Sequence, residues 1–134
     1  LQEEFACGCC DDVETEHTIG RVWREQHYLM DTHTAVAWTV AEEYRKTRGS
    51  DAPVVVLSTA SPYKFPAAVL RAVGGDVSGE EFDLMRRLHD LTEVPVPPAL
   101  AALAEKPVRY RDCIALDQMK NYVNQKVRQA TWNE

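Results

Sequence analysis

The sequence predicts an α/β chain: helix-rich, a partial three-layer fragment that carries one or two short buried strands from a parallel sheet. Two observations lead there. The run Val54, Val55, Val56, Leu57 is apolar and β-branched without polar alternation, and Pro53 and Pro62 bound it, which is the pattern of a short strand covered on both faces. Most of the remaining chain places its apolar residues at helical spacing. A strand covered on both faces is usually parallel, with helices packed against it. A lone strand has no ladder partner, so "HYLMD" (residues 27–31) and "VRY" (residues 108–110) are candidates for a second, and the other strands of the sheet are expected in sequence outside these 134 residues.

Each element has a local cause. Asp12 as N-cap, Glu14 in the first turn and Ile19, Val22 and Trp23 at helical spacing predict a helix over 13–26. After the connector, "THTAVAWTVAEEYRKTRG" puts Ala37, Val40, Ala41 and Tyr44 on one face, widened by Val36. Asp31, Thr32 or Thr34 caps its start, Glu42 faces Lys46, and Arg45, Lys46 and Arg48 suit the negative end before Gly49. The loop "GSDAP" leads into the apolar run. Pro66 opens a helix to about Val73, which Gly74 and Gly75 stop. Ser78 and Glu81 stand in capping-box spacing ahead of Phe82, Met85 and Leu88 on one stripe. "VPVPPALAALAEKP" reads as a bend into a short Ala/Leu helix, and Leu116, Met119 and Val123 mark a closing helix. Trp23, Trp38 and Phe82 read as core aromatics.

Composition narrows the function. With 45% hydrophobic and 27% charged residues, 134 residues suffice for a single globular domain, here taken as residues 1–134. A net charge of −6 disfavours nucleic acid and acidic membranes as partners, and the residues from Lys120 to Arg128 read as a solvated helix face. No apolar run reaches the roughly 18 residues of a membrane span, and "LQEEFACGCC" lacks the order of a secretory signal, so a soluble, cytoplasmic protein is expected. The start at Leu1 rather than Met suggests a processed product or a piece of a longer chain. If missing elements normally cover residues 54–57, the isolated chain is expected to form a homo-oligomer.

Three of the four cysteines, Cys7, Cys9 and Cys10, lie together, and Cys113 stands apart. Cys7 and Cys10 have metal-ligand spacing, but there is no second pair and His17 would have to fold back, so ordinary reduced thiols are the simpler reading beside a metal or thiol module. The hydroxyls Ser58, Thr59 and Ser61 follow the apolar run. They fit a turn that satisfies its own backbone, or a ligand rim beyond the carboxyl end of a strand. His33 reads equally as a group orienting a site or as a helix-start histidine bonded locally; His17, His27 and His89 carry no assignment. Glycine-rich nucleotide loops and a metalloprotease HExxH are absent from the sequence.

Two motifs carry a resemblance: "DTHTAVAW" at 31–38 and "STASPYKF" at 58–65. Together with the helix and apolar run between them they resemble the C-terminal portion of threonine synthase, a pyridoxal-phosphate enzyme of the tryptophan-synthase-β structural class (fold type II). The matching positions are Asp31, His33, Thr34, Ala35, Val36, Thr59, Ala60, Pro62, Lys64 and Phe65. Thr32 stands where the family commonly has proline, and Ser61 where it commonly has histidine. The looser likeness runs from about Phe5 to about Val127.

The resemblance implies a parent enzyme that converts O-phospho-L-homoserine, its small-molecule substrate, to L-threonine and phosphate, with pyridoxal phosphate as electron sink. It places Thr59 against the pyridine nitrogen of the cofactor, with Ser58 and Ser61 completing a polar rim. Lys64 is either a contact for substrate phosphate or a surface lysine. The Schiff-base lysine and the glycine-rich loop for the cofactor phosphate lie upstream in the family and have no counterpart among Gly8, Gly20, Gly49, Gly74, Gly75 and Gly79. No catalytic residue is therefore assigned to this chain, which resembles one wall of an active site. A non-catalytic helical interaction module and a fragment of a related Ser/Thr dehydratase-like enzyme are the alternatives.

Overall fold

The computed structural model describes residues 4–49 and 51–129; Leu1, and Ser50 of the expected loop, lie outside them. Among the described residues six α-helices follow one another: α1 (Asp12–Gln26), α2 (Thr32–Arg48), α3 (Pro66–Ala72), α4 (Glu81–Thr92), α5 (Pro98–Ala101) and α6 (Met119–Gln129). Short 3-10 turns cover Pro62–Lys64, Ala102–Glu105 and Leu116–Gln118. Helix α1 packs on both α2 and α3, and α3 packs on α4.

There is no β-strand among the described residues, which overturns the α/β class and its parallel sheet. Residues 54–57 have no helical or ladder structure, and Val55 (84% exposed) and Leu57 (74%) face solvent. The physical reason is that a β-branched run supplies a local preference, whereas a strand requires a partner backbone, and no described segment offers one. The two candidates for a second strand also fail. In residues 27–31, His27 adopts the left-handed conformation that ends α1 (φ 53°), Leu29 and Met30 plug the core, and Asp31 caps α2. Residues 108–110 lie exposed in a segment without regular structure.

The core gathers Ile19 and Val22 of α1, Met30 of the connector, Ala35 of α2, Val69 and Leu70 of α3, and Leu84, Met85 and Leu88 of α4. Each large side chain buried in this way contributes about 1.5–3 kcal/mol. Gly20 permits the closest approach, because a Cβ at that position would stand 2.3 Å from the Ala72 carbonyl oxygen of α3. Tyr63, in the 3-10 turn before α3, is 2% exposed and donates its hydroxyl to the Val94 carbonyl, and burial pushes its phenol above the ordinary value. That bond ties the turn to the chain leaving α4.

Several helix faces differ from the sequence reading. Helix α1 is capped by Asp11, whose Oδ1 accepts from the Glu14 amide at 2.8 Å, one residue ahead of the expected Asp12. On α2 the buried residues are Thr34 and Ala35, while Ala37 and Tyr44 are exposed and Val40 and Ala41 half-buried. The α2 face toward α1 is polar: Thr18 and Thr39 share a hydrogen bond of 2.8 Å, and Arg21 pairs with Glu42 at 2.6 Å. Ser78 does not cap α4; Glu80 takes the N-cap position without a side-chain bond, and Ser78 bonds Asp76 at 2.6 Å. Phe82 is exposed rather than in the core, and Trp23 and Trp38 pack at its edge. The stripe of Leu116, Met119 and Val123 is open to solvent, Leu116 at 87%. Helical spacing specifies an apolar stripe; burial also needs an opposing element.

Candidate functional site

The site is built on the start of α2. Asp31 caps the helix from full burial (0% exposed), and its Oδ1 accepts the His33 amide at 2.9 Å and the Thr34 amide at 3.4 Å. The Thr34 hydroxyl donates to Oδ2, and His33 Nδ1 stands 3.2 Å from Oδ1. One buried carboxylate thus collects the first amides of α2, a hydroxyl and an imidazole. Because those amides are occupied, this helix start is not an open anion cradle.

The same hub reaches the hydroxyl segment. Thr34 Oγ1 lies 3.1 Å from Ser58 Oγ. Thr34 has a single hydroxyl proton; when that proton points to the carboxylate, the proton in the second contact comes from Ser58. Ser61 Oγ accepts the Tyr63 amide at 3.3 Å and caps the 3-10 turn at Pro62–Lys64. Thr59, between them, is exposed and forms no hydrogen bond among the described residues. The three hydroxyls therefore differ in state: Ser58 is tethered to α2, Ser61 is used as a cap, and Thr59 is open.

Around them, the His33 ring lies against Phe65 with centroids 5.1 Å apart and planes tilted by 52°. Lys64 is exposed, while its neighbour Tyr63 anchors the turn in the core. The buried Asp31–Thr34 pair is the part that sequence reasoning missed. Both residues were visible as alternative caps in "DTHT", but spacing within a helix start carries no information about Ser58, 24 positions beyond Thr34. The cysteines lie elsewhere: Cys10 Sγ is 3.3 Å from Thr15 Oγ1, and Cys7, Cys9 and Cys113 are exposed free thiols. Among the described residues, no three His, Cys, Asp or Glu side chains converge to hold a metal ion.

A family model described as "Threonine synthase, C-terminal" matches residues 34–123, a stretch that holds Thr34, all three hydroxyls, Lys64 and Phe65. The chain belongs to the threonine synthase C-terminal family. It is similar to Threonine synthase-like 1 of Mus musculus, 29% identical over 138 residues that cover 96% of this chain and 17% of that protein. It is also similar to threonine synthase of Pseudomonas aeruginosa, 44% identical over 87 residues, 63% of this chain and 18% of that protein. Threonine synthase of Schizosaccharomyces pombe is 35% identical over 69 residues, covering 51% of this chain and 13% of that protein. The chain thus spans less than a fifth of the length of these curated relatives. Asp31 and His33 sit immediately ahead of the residues that the threonine synthase model matches.

Proposed function

We propose that residues 1–134 are a single domain, the C-terminal portion of a longer cytoplasmic threonine synthase. That enzyme converts O-phospho-L-homoserine and water to L-threonine and inorganic phosphate with pyridoxal phosphate. The family match over residues 34–123 is the observation that supports this reading most, and Thr59 carries an open hydroxyl between the α2 hub and the Tyr63 anchor. Threonine synthases generally depend on pyridoxal phosphate.

The residues present fit one contact of that cofactor. Its ring nitrogen is an acceptor, and an unengaged hydroxyl on a fixed segment is a suitable donor to it. When bound, the cofactor supplies the electron sink that lets the γ substituent leave and water enter at the β carbon. The chain's own residues hold and orient: Thr59 donates to the ring nitrogen, Ser58 keeps Thr59 in place through Thr34, and Ser61 fixes the turn that follows. The covalent bond and the phosphate cradle do not fit here. All five lysines, Lys46, Lys64, Lys106, Lys120 and Lys126, are exposed, and the glycines are scattered along the chain. Those two contacts are assigned to the remainder of the enzyme, and the isolated chain is inactive in this reading.

Phosphate release from O-phospho-L-homoserine, with and without added pyridoxal phosphate, tests the proposal on the purified chain beside the longer protein that contains it. The longer protein turns over and the chain does not. Turnover by the chain alone at the rate of the longer protein, or none by either, contradicts it. One observation favours a second reading, a helical interaction module without chemistry: the exposed stripe of Leu116, Met119 and Val123. In that case the longer protein has no activity, and charge substitutions on the stripe abolish partner binding.

A further inference from the structure

We propose that His33 is a proton-accepting residue of this site, that its Nε2 faces the bound amino acid, and that the buried Asp31 carboxylate holds its ring in the Nδ1–H form. The inference rests on the threonine synthase reading and adds a catalytic residue to it.

The argument begins with the carboxylate. Around Asp31 stand two backbone amides and the Thr34 hydroxyl, all donors, so an ionised carboxylate that only accepts satisfies every one of them. The fourth neighbour, His33 Nδ1, stands 3.2 Å from the same acceptor and 3.5 Å from Thr32 Oγ1, and a proton on Nδ1 serves both oxygens. Nε2 is left as the acceptor of the ring, and it has no hydrogen-bond partner among the described residues. The ring is 62% exposed at the side chain although its partner is fully buried, and it leans on Phe65 of the second motif.

Capping accounts for the two amides, and the imidazole contact and the link to Ser58 go beyond it. A cap at the start of α2 needs only the two amides, and a purely local histidine would have no reason to share its carboxylate with the hydroxyl rim. Here one Asp31 oxygen holds the imidazole, and the other holds Thr34, which holds Ser58. Imidazole and hydroxyl segment are thus linked through a single buried group. A base oriented by a third group is an arrangement that recurs in general-base chemistry. In the proposed step a proton of the bound amino acid moves to Nε2, its bonding electrons remain on the amino acid, and the resulting imidazolium lies against Asp31. The proton returns to the product later in the cycle.

Two measurements test this. Long-range 1H–15N NMR of the labelled chain reports the ring tautomer directly: the Nδ1–H form dominates in the unaltered chain and in Thr34→Val, and loses its dominance in Asp31→Asn. A dominant Nε2–H form in the unaltered chain overturns the proposal. In the longer protein, His33→Gln and His33→Asn lower kcat for phosphate release from O-phospho-L-homoserine by about 10²-fold or more, the usual range for a positioned acid or base. KM changes little, and added imidazole restores part of the rate. Unchanged kcat in both variants, with the unaltered enzyme active, overturns the role of His33 and leaves the threonine synthase reading standing. An inactive unaltered enzyme overturns both.

Discussion

Replacing Asp31 with alanine removes the group on which the whole site is mounted, and the structure sets the size of the loss. Two amides at the start of α2 and the Thr34 hydroxyl lose an acceptor. The His33 ring is exposed and turns to water, and the Thr34 hydroxyl keeps Ser58, so the main orphans are the amides. Loss of an N-cap costs about 0.5–2 kcal/mol, and a buried donor left without a partner costs about 1–3 kcal/mol. Thr34 is buried, so its amide belongs to the second class. Release of a buried carboxylate offsets part of this. The net expectation is about 2–3 kcal/mol, or roughly 10 °C in Tm at about 4 °C per kcal/mol for a chain of this length. Far-UV circular dichroism follows the melt directly because the fold is helical. Asp31→Ser retains a capping oxygen and loses about half as much. A Tm for Asp31→Ala within about 2 °C of the unaltered chain refutes the hub.

Gly20→Ala brings a methyl group onto the Ala72 carbonyl, 2.3 Å from the ideal Cβ position, and prises α1 from α3. It destabilises by about 1–3 kcal/mol in urea unfolding in spite of alanine's better helix propensity, and a neutral or stabilising result contradicts the packing. Burial raises the Tyr63 phenol, so the folded state holds that proton more tightly than the unfolded chain. Its contribution to stability is complete below about pH 10 and declines as pH rises from there toward the folded-state value, a decline that Tyr63→Phe removes; parallel pH profiles for the two proteins contradict this. We also propose that the isolated chain self-associates through exposed Val55 and Leu57, giving a dimer or larger assembly by analytical ultracentrifugation that Val55→Asp weakens. A monomer over a wide concentration range, without apolar dye binding, defeats this.

Most helix positions were legible from local signals, although Asp11 rather than Asp12 caps α1 and Ser78 bonds Asp76 instead of capping α4. Gly49 ends α2 at φ 59°, Pro66 opens α3, and Asp31 caps α2. The larger failures depended on partners. The valine run from 54 to 56 specifies an extended preference, and the sheet that would complete it has no second strand among the described residues. Ala37, Val40, Ala41 and Tyr44 form a stripe by spacing, yet α1 meets α2 through Thr18, Thr39 and the Arg21–Glu42 pair instead. In the site, the family resemblance singled out Thr59, Ser58 and Ser61 but could not show their different states. Those states follow from a hydroxyl contact across 24 positions and from a cap two residues on.

The measurement that bears most directly on the central claim is the steady-state kinetics of Thr59→Val in the longer protein. Valine keeps the β-branched shape and deletes only the hydroxyl, on a segment that Ser58 and Tyr63 still hold. A fixed polar contact at a reacting centre contributes about 3–4 kcal/mol, so kcat for phosphate release from O-phospho-L-homoserine is expected to fall by about 10²–10³-fold with the fold intact. Unchanged kcat and KM in Thr59→Val would contradict the account.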